Sequence, residues 1–484
     1  MQDEQSGKEQ CVRRGSSRAD IPLSAFGRLP SEKEKELNAT HVAEHLLPLF
    51  EHAATIVPKQ FHKTTQVQYA ATAGMRLLDN GEQEAVYDAL YEGLMESDAF
   101  VFKGTKRKDI ATLSGELEGF YGAVAANYLH GIVDAKLKIV SSSKDEKEKV
   151  PIGALDMGGS STQIVFLPDD ETKSCPNTDL CQTETLTSQL NGDQFFSTSY
   201  LSYGVDQFRE RFWSTLVKER QGESDDESCA NKVILNPCAN VGYTVDWEGF
   251  NLVGTGNTKE CIRLTQRLIP HPELAHDGDQ EIERRVGGVE NPPVTGKFLA
   301  MSLFFFSLDS LRVFSKPNDK AHKALNLSWP NPSIQELHDA LDGLCSRDWE
   351  EDMAMQIGTH SFTREDVLPH RCIESVFMVT LLKDGFGFDP SSRDITFTFL
   401  VEGNEVEWTL GMALSMKAEE SLGSVKKDSP SINRTIGEGR ETKFTQSSWL
   451  LSAPLDIILS CALVALTAKT LYYKVSEQSY KYYQ

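Results

Sequence analysis

Apolar residues recur at helical spacing from Val42 to Ile56, and Val67 to Ala71 reads as a strand that breaks at Thr72, Ala73 and Gly74 into a helix near Met75. A further helix is predicted over Ser114 to Ile132, where Leu117, Phe120, Tyr121, Val124 and Tyr128 form one stripe. Val150 to Phe166 reads as two strands joined by a Gly-Gly turn. Mixed elements in this order predict an α/β protein. No internal repeat or long low-complexity tract interrupts the pattern. Gln221 to Ser228 and His271 to Asp279 are acidic or Gly/Pro-bearing and read as surface loops. The histidines of that second run do not share a helical face, and Pro272 breaks it, which argues against a metal pair.

Near the C-terminus the pattern changes. Lys417 to Thr445 is polar and rich in Glu, Lys, Ser and Gly, as a stalk would be. Trp449 to Tyr473 is mostly apolar, bounded by aromatic residues and followed by Lys474 and Lys481, and is about as long as a bilayer needs at ~1.5 Å per residue. Asp456 and Lys469 confine its uncharged centre to Ile457–Ala468. A single-pass membrane helix is expected here, with a buried amphipathic helix as the other reading. Positive-inside orientation then puts the short tail in the cytosol and the body outside. The N-terminal stretch MQDEQSGKEQCVRRGSSR has no apolar signal region.

Composition narrows the partners. The chain has 484 residues with 71 acidic against 49 basic side chains, a net charge of −22, and no basic stripe. Nucleic acid is therefore not the expected partner. Nine cysteines include no zinc-type Cys-x-x-Cys pairs, and seven of them lie between Cys175 and Cys372. With sequons at Asn38, Asn326 and Asn433, this points to an oxidising, glycosylating compartment.

Three segments carry candidate chemistry. In Gly153 to Phe166 an apolar strand ends on Asp156, followed by Gly158, Gly159, Ser160, Ser161, Thr162 and Gln163. Two glycines let a backbone approach an anion, and an aspartate at the strand end can hold a hydrated divalent cation, although a plain hairpin has the same pattern. Ala71 to Leu78 breaks from strand to helix, so Thr72 and its turn can face an anion, while Arg76 can equally be a structural ion-pair partner. Glu118 lies at the edge of the apolar stripe, between Gly115 and Gly119. A carboxylate there can serve as a general base or sit on the surface.

Taken together, these segments resemble the apyrases, or nucleoside triphosphate diphosphohydrolases, of the actin-like superfamily. The matching motifs are TAGMRLL at Thr72 to Leu78, EG…NYL at Glu118, Gly119 and Asn127 to Leu129, and ALDMGGSSTQ at Ala154 to Gln163. Lys297 to Arg312 and the run from Cys372 to WTLG at Trp408 to Gly411 also fit, and the likeness covers about residues 10 to 414. It implies an actin-like (RNase H-like) two-lobed fold, to which the pattern near the C-terminus adds the expected single-pass membrane helix. Residues 1–150 would form an N-terminal lobe, 151–414 a second lobe and closing segment, 415–448 a stalk, 449–473 the membrane helix and 474–484 a tail.

The resemblance further implies that Glu118 deprotonates the attacking water. Asp156 and Thr72 would hold waters of a Ca²⁺ or Mg²⁺ ion, with Trp408 nearby. Gly158, Gly159, Ser160, Ser161 and Gln163 would bind phosphates, and Phe306 would stack on the base. Disulfides Cys345–Cys372 and Cys238–Cys261 follow from the same likeness and the outward topology. The substrates would be nucleoside di- and/or triphosphates, and the body would be lumenal in the Golgi or extracellular. No Walker lysine motif suggests the other common design.

Three departures stand out. The family's Asp-x-Gly-Ser phosphate loop is expected before Cys11, where RRGSSR lacks both the aspartate and a strand. Ala123 stands where a tryptophan is usual, and Glu407 where a glycine is. An upstream segment is expected to supply the missing loop, and the 484-residue form is expected to be nearly inactive without it. A catalytically inactive apyrase-like binding protein is the alternative function, and an actin-like kinase or chaperone ATPase the third.

Overall fold

The computed structural model describes residues 22–27, 38–65, 67–140, 149–168, 188–190, 193–222, 232–270, 285–314, 327–360 and 362–423. In chain order, α1 (Ala39–Ile56) leads to β1 (Tyr69–Ala71), the single turn α2 (Ala73–Arg76), α3 (Asn80–Glu96) and β2 (Ile110–Thr112). Side-chain caps set where the long helices begin: Asn38 accepts from the His41 N–H, and Asp79 and Glu82 form a reciprocal capping box. That second cap restarts the chain after one turn, so the helix expected near Met75 is two helices. α1 and α3 pack closely because residue 93 is glycine. A Cβ there would lie 2.1 Å from the Ala39 carbonyl oxygen. Their apolar faces bury Val42, Leu46, Phe50, Val86, Leu90 and Leu94 beneath the parallel pair β1–β2.

The helix expected over Ser114 to Ile132 is α4 (Gly115–Leu129), capped by the Ser114 hydroxyl. The Gly-Gly hairpin follows as β3 (Gly153–Met157) and β4 (Ser161–Phe166), then β5 (Ser188–Leu190), β6 (Asp193–Leu201) and α5 (Val205–Gly222). A small sheet contains β7 (Val233–Asn236), β8 (Thr244–Trp247) and β9 (Phe250–Gly254), and is followed by α6 (Thr258–Leu268) and the pair β10 (Arg285–Val286) and β11 (Val289–Glu290). β12 (Phe298–Ala300), α7 (Leu303–Phe314), α8 (Ile334–Cys345), α9 (Arg371–Thr380), β13 (Ile395–Phe397), the pair β14 (Leu400–Val401) and β15 (Asn404–Glu405), and α10 (Trp408–Gly423) complete the order.

Six strands form the central sheet in the order β13-β12-β3-β4-β6-β5, with β13, β12 and β3 parallel and the remainder antiparallel. Alternation along β3 and β4 separates two cores. Leu155, Met157, Ile164 and Phe166 join the core built with α5 to α9, whereas Ala154 and Val165 pack with Val124 of α4 and Leu414 of α10. By packing, α4 therefore goes with the sheet although it precedes residue 150. α10 runs past the expected boundary at residue 414 and into the expected stalk. It is held there because Leu414 and Ala418 are buried and Gly411 lies directly on the Tyr121 carbonyl.

Both expected disulfides are present, Cys238–Cys261 and Cys345–Cys372. No helix among the described residues is long and apolar enough to cross a membrane, and Trp449–Tyr473 lies outside the described residues.

Candidate active site

Four of the candidate residues, Glu118, Asp156, Ser161 and Gln163, converge at the end of the sheet covered by α4. Asp156 of β3 is paired in register with Gln163 of β4, which is paired with Ser199 of β6. Residues directly opposite one another project on the same face, so a polar row crosses three strands where Ala154 and Val165 give way to it. Asp156 is 4% exposed and Gln163 1%.

Glu118 reaches this row because the helix carrying it comes unusually close. A Cβ at residue 115 would lie 2.1 Å from the Ser199 Oγ, and one at residue 119 would lie 2.9 Å from the Val165 Cγ2 and 3.0 Å from the Gln163 Cβ. The two glycines thus bring α4 down onto β4 and β6, and Glu118 is buried rather than on the surface. Gln163 Nε2 donates to the Ser161 Oγ at 2.7 Å and the Ser199 Oγ at 2.9 Å, and lies 3.5 Å from the Glu118 Oε2. Ser199 belongs to none of the motifs. Its only signal is the alternation Ser197, Ser199 along a strand that otherwise reads as ordinary sheet.

Arg76 completes the group. Its Nη2 donates to the Glu118 Oε2 at 2.8 Å and to the Ser161 Oγ at 3.1 Å, while Nη1 donates to the Leu113 carbonyl at 2.8 Å. The structural ion pair left open for Arg76 is therefore formed with Glu118 itself. Thr72 is the N-cap residue of the same one-turn helix; it is 5% exposed, and its side chain makes no capping bond.

The glycine turn differs from a simple anion nest. The Gly158 N–H donates to the Ser161 carbonyl and closes the hairpin. The N–H groups of Gly159 and Ser160 donate to no other described residue, and both residues are half-buried. The turn's carbonyls face the start of α5: Gly158 accepts from the Val205 N–H, and Gly159 from those of Asp206 and Gln207. The fit is close enough that a Cβ on Gly159 would lie 2.2 Å from the Asp206 Oδ2. Burial raises the pKa of Asp206, against the opposing pull of Arg209, with which it pairs at 2.8 Å.

Two expected site residues lie in separate apolar clusters. Trp408, at the start of α10, is buried with Ala70 and Leu113 and packs against Leu117. Phe306 of α7 is half-buried among Phe305, Phe362 and Phe399, with ring centroids 4.8 to 5.4 Å apart. Beneath it, Ser307 donates to Glu374, and Glu374 forms a buried pair with Arg371.

The fold matches a solved structure of nucleoside triphosphate hydrolases from Neospora caninum with a TM-score of 0.51 at 14% identity, covering 82% of this chain and 83% of that one. This is the expected α/β actin-like fold. Mouse (Mus musculus) ectonucleoside triphosphate diphosphohydrolase 1 is 26% identical over 400 residues, covering 78% of this chain and 70% of the relative. The bovine (Bos taurus) ectonucleoside triphosphate diphosphohydrolase 8 is 29% identical, covering 78% and 72%. The Golgi apyrase of Schizosaccharomyces pombe is 28% identical, covering 80% of this chain and 65% of the apyrase. The model of the GDA1/CD39 (nucleoside phosphatase) family matches residues 31–429. A match over most of the chain, on a fold that gathers Glu118, Ser161 and Gln163 at one sheet end, establishes that this chain belongs to the GDA1/CD39 nucleoside phosphatase family.

Proposed function

We propose that the protein hydrolyses terminal phosphates of nucleoside di- and/or triphosphates by direct attack of water, with Glu118 as general base. The observation that carries this reading is a buried carboxylate that Gln163 and Arg76 both address and both link to Ser161, beside a turn whose Gly159 and Ser160 N–H groups donate to no other described residue. In the proposed reaction Glu118 takes a proton from water, the water oxygen bonds to the terminal phosphorus, and the bond to the leaving phosphate breaks. Ser161 and Gln163 orient the water and the phosphate, and the Gly159 and Ser160 N–H groups receive phosphate charge. No phosphoenzyme is required.

A divalent cation, Ca²⁺ or Mg²⁺, fits the donors present. Asp156 and the Thr72 hydroxyl are hard oxygen ligands, and Trp408 packs with Ala70, two residues before Thr72. Among the described residues no three His, Cys, Asp or Glu side chains form a metal-binding group, so water and phosphate oxygens would complete the shell. When bound, the ion neutralises phosphate charge. Phe306 presents an aromatic surface suited to stacking on a base.

The proposed setting of the body is the Golgi lumen or the cell exterior, with residues 449–473 as its expected anchor. Two disulfides support an oxidising compartment, as do relatives named for ecto- and Golgi enzymes. The test is phosphate release from nucleoside di- and triphosphates by the purified protein. Glu118→Gln is expected to keep nucleotide binding and lose turnover by roughly 10²-fold or more, and excess chelator to stop the wild type. Turnover at the original rate in either case refutes the corresponding assignment.

A further inference from the structure

We propose that Arg76 is a positioning residue that holds the carboxylate of Glu118 in its working orientation and registers it against Ser161. This inference rests on the reading of Glu118 as the base.

The Arg76 guanidinium has three hydrogen-bond partners among the described residues. Its Nη1 is tied to the Leu113 carbonyl, and the Leu113 N–H is in turn bonded to the Ala71 carbonyl at 2.7 Å, at the end of β1. One arm of a planar, rigid fork is thereby fixed to the backbone of the N-terminal lobe. The other arm, Nη2, is shared between the Glu118 Oε2 on α4 and the Ser161 Oγ on β4. One side chain from α2 therefore fixes the base and a phosphate-turn hydroxyl relative to each other, across the junction between the β1–β2 pair and the central sheet.

A glutamate has free side-chain torsions, and a general base must be held at hydrogen-bond distance from its proton. Gln163 also addresses Oε2, but at 3.5 Å against 2.8 Å for Arg76, so the guanidinium makes the shorter contact. Lysine cannot replace it fully. An ammonium is a point charge and does not keep the fixed angle between the Leu113 carbonyl and the two site oxygens.

The test is a double-mutant cycle on the purified protein. Turnover at saturating nucleotide is measured for wild type, R76A, E118Q and R76A/E118Q, together with the affinity of each for a non-hydrolysable nucleoside triphosphate analogue. R76A is expected to lower kcat by roughly 10- to 10²-fold, the scale of a misplaced catalytic group, while analogue affinity changes by less than about 3-fold. In the E118Q background R76A is expected to change kcat by less than about 3-fold, because its effect passes through Glu118. R76K should recover part of the loss, as should added guanidinium ion with R76A.

Equal losses from R76A in both backgrounds, or an affinity loss as large as the kcat loss, would overturn the inference, since Arg76 would then act on the phosphate directly. An E118Q protein with wild-type turnover would instead remove the base assignment, and is distinguishable because it is read before Arg76 is altered. Thermal melting accompanies each variant. If R76A, R76K and R76Q all fail to fold, Arg76 is a structural residue and the positioning role is refuted.

Discussion

The proximity of α4 to the sheet is the feature most open to a direct test, through Gly119→Ala. The added Cβ would stand 2.9 Å from the Val165 Cγ2, 3.0 Å from the Gln163 Cβ and 3.2 Å from the Gln163 Cγ. Carbon contacts are comfortable at roughly 3.5 to 4.0 Å, so α4 must lift by roughly 0.5 to 1 Å or its neighbours must give way. Val165 and Gln163 are themselves fully packed, and the lift is the available response. Overpacking of this degree costs about 1 to 3 kcal/mol. Exchanging glycine for alanine inside a helix returns about 1 kcal/mol, leaving a net loss of about 0 to 2 kcal/mol. At about 2 to 4 °C per kcal/mol, the melting temperature should fall by no more than about 8 °C. Glu118 is the adjacent residue, however, and a displacement approaching 1 Å costs about 10²-fold in rate. The assay pairs phosphate release from a nucleoside diphosphate with thermal melting by circular dichroism. A folded Gly119→Ala protein with full activity would refute the claim that close approach of α4 places the base.

Two further outcomes follow from features away from the site. Alkylation of unreduced, denatured protein should leave Cys238, Cys261, Cys345 and Cys372 unmodified. Replacing Cys345 and Cys372 by alanine should cost about 3.6 kcal/mol, the chain-entropy figure for the sequence separation of 27. Labelling of all four thiols refutes the pairings. His370 has its pKa lowered to about 4, first by burial and then by Arg209 and Arg371, with Glu374 and Asp366 opposing. The unfolded chain binds the additional proton between about pH 6.5 and pH 4, so stability is full above that window and falls with decreasing pH through it, at about 1.4 kcal/mol per unit. His370→Gln should flatten this slope by one proton in urea titrations, and an unchanged slope excludes His370 as its source.

Legibility in the sequence followed the range of the interactions. Helix α4 and the β3–β4 hairpin are readable because apolar periodicity and the Gly-Gly turn are local. The burial of Glu118 was not, since it depends on Ser199 and Val165 meeting Gly115 and Gly119 from distant strands. Neither was the partner of Arg76, which lies 42 residues away. The Gly158 N–H, an expected phosphate donor, closes the hairpin instead, a choice made by the register of β3 and β4. The continuation of α10 beyond residue 414 was concealed by its polar composition and is set by packing against α4. The disulfide pairs were accessible through family likeness and not through spacing.

The seating of α5 behind the glycine turn has an electronic consequence. The Gly158 and Gly159 carbonyls that accept from α5 belong to the same peptide groups as the Gly159 and Ser160 N–H groups. An amide whose oxygen accepts a hydrogen bond becomes a stronger donor at its nitrogen, by roughly 10–30% per bond. The positive end of the α5 dipole is thus relayed through two amide planes to whatever anion meets those nitrogens. The helix polarises the turn from behind and lends charge stabilisation to an anion that its own N–H groups never touch.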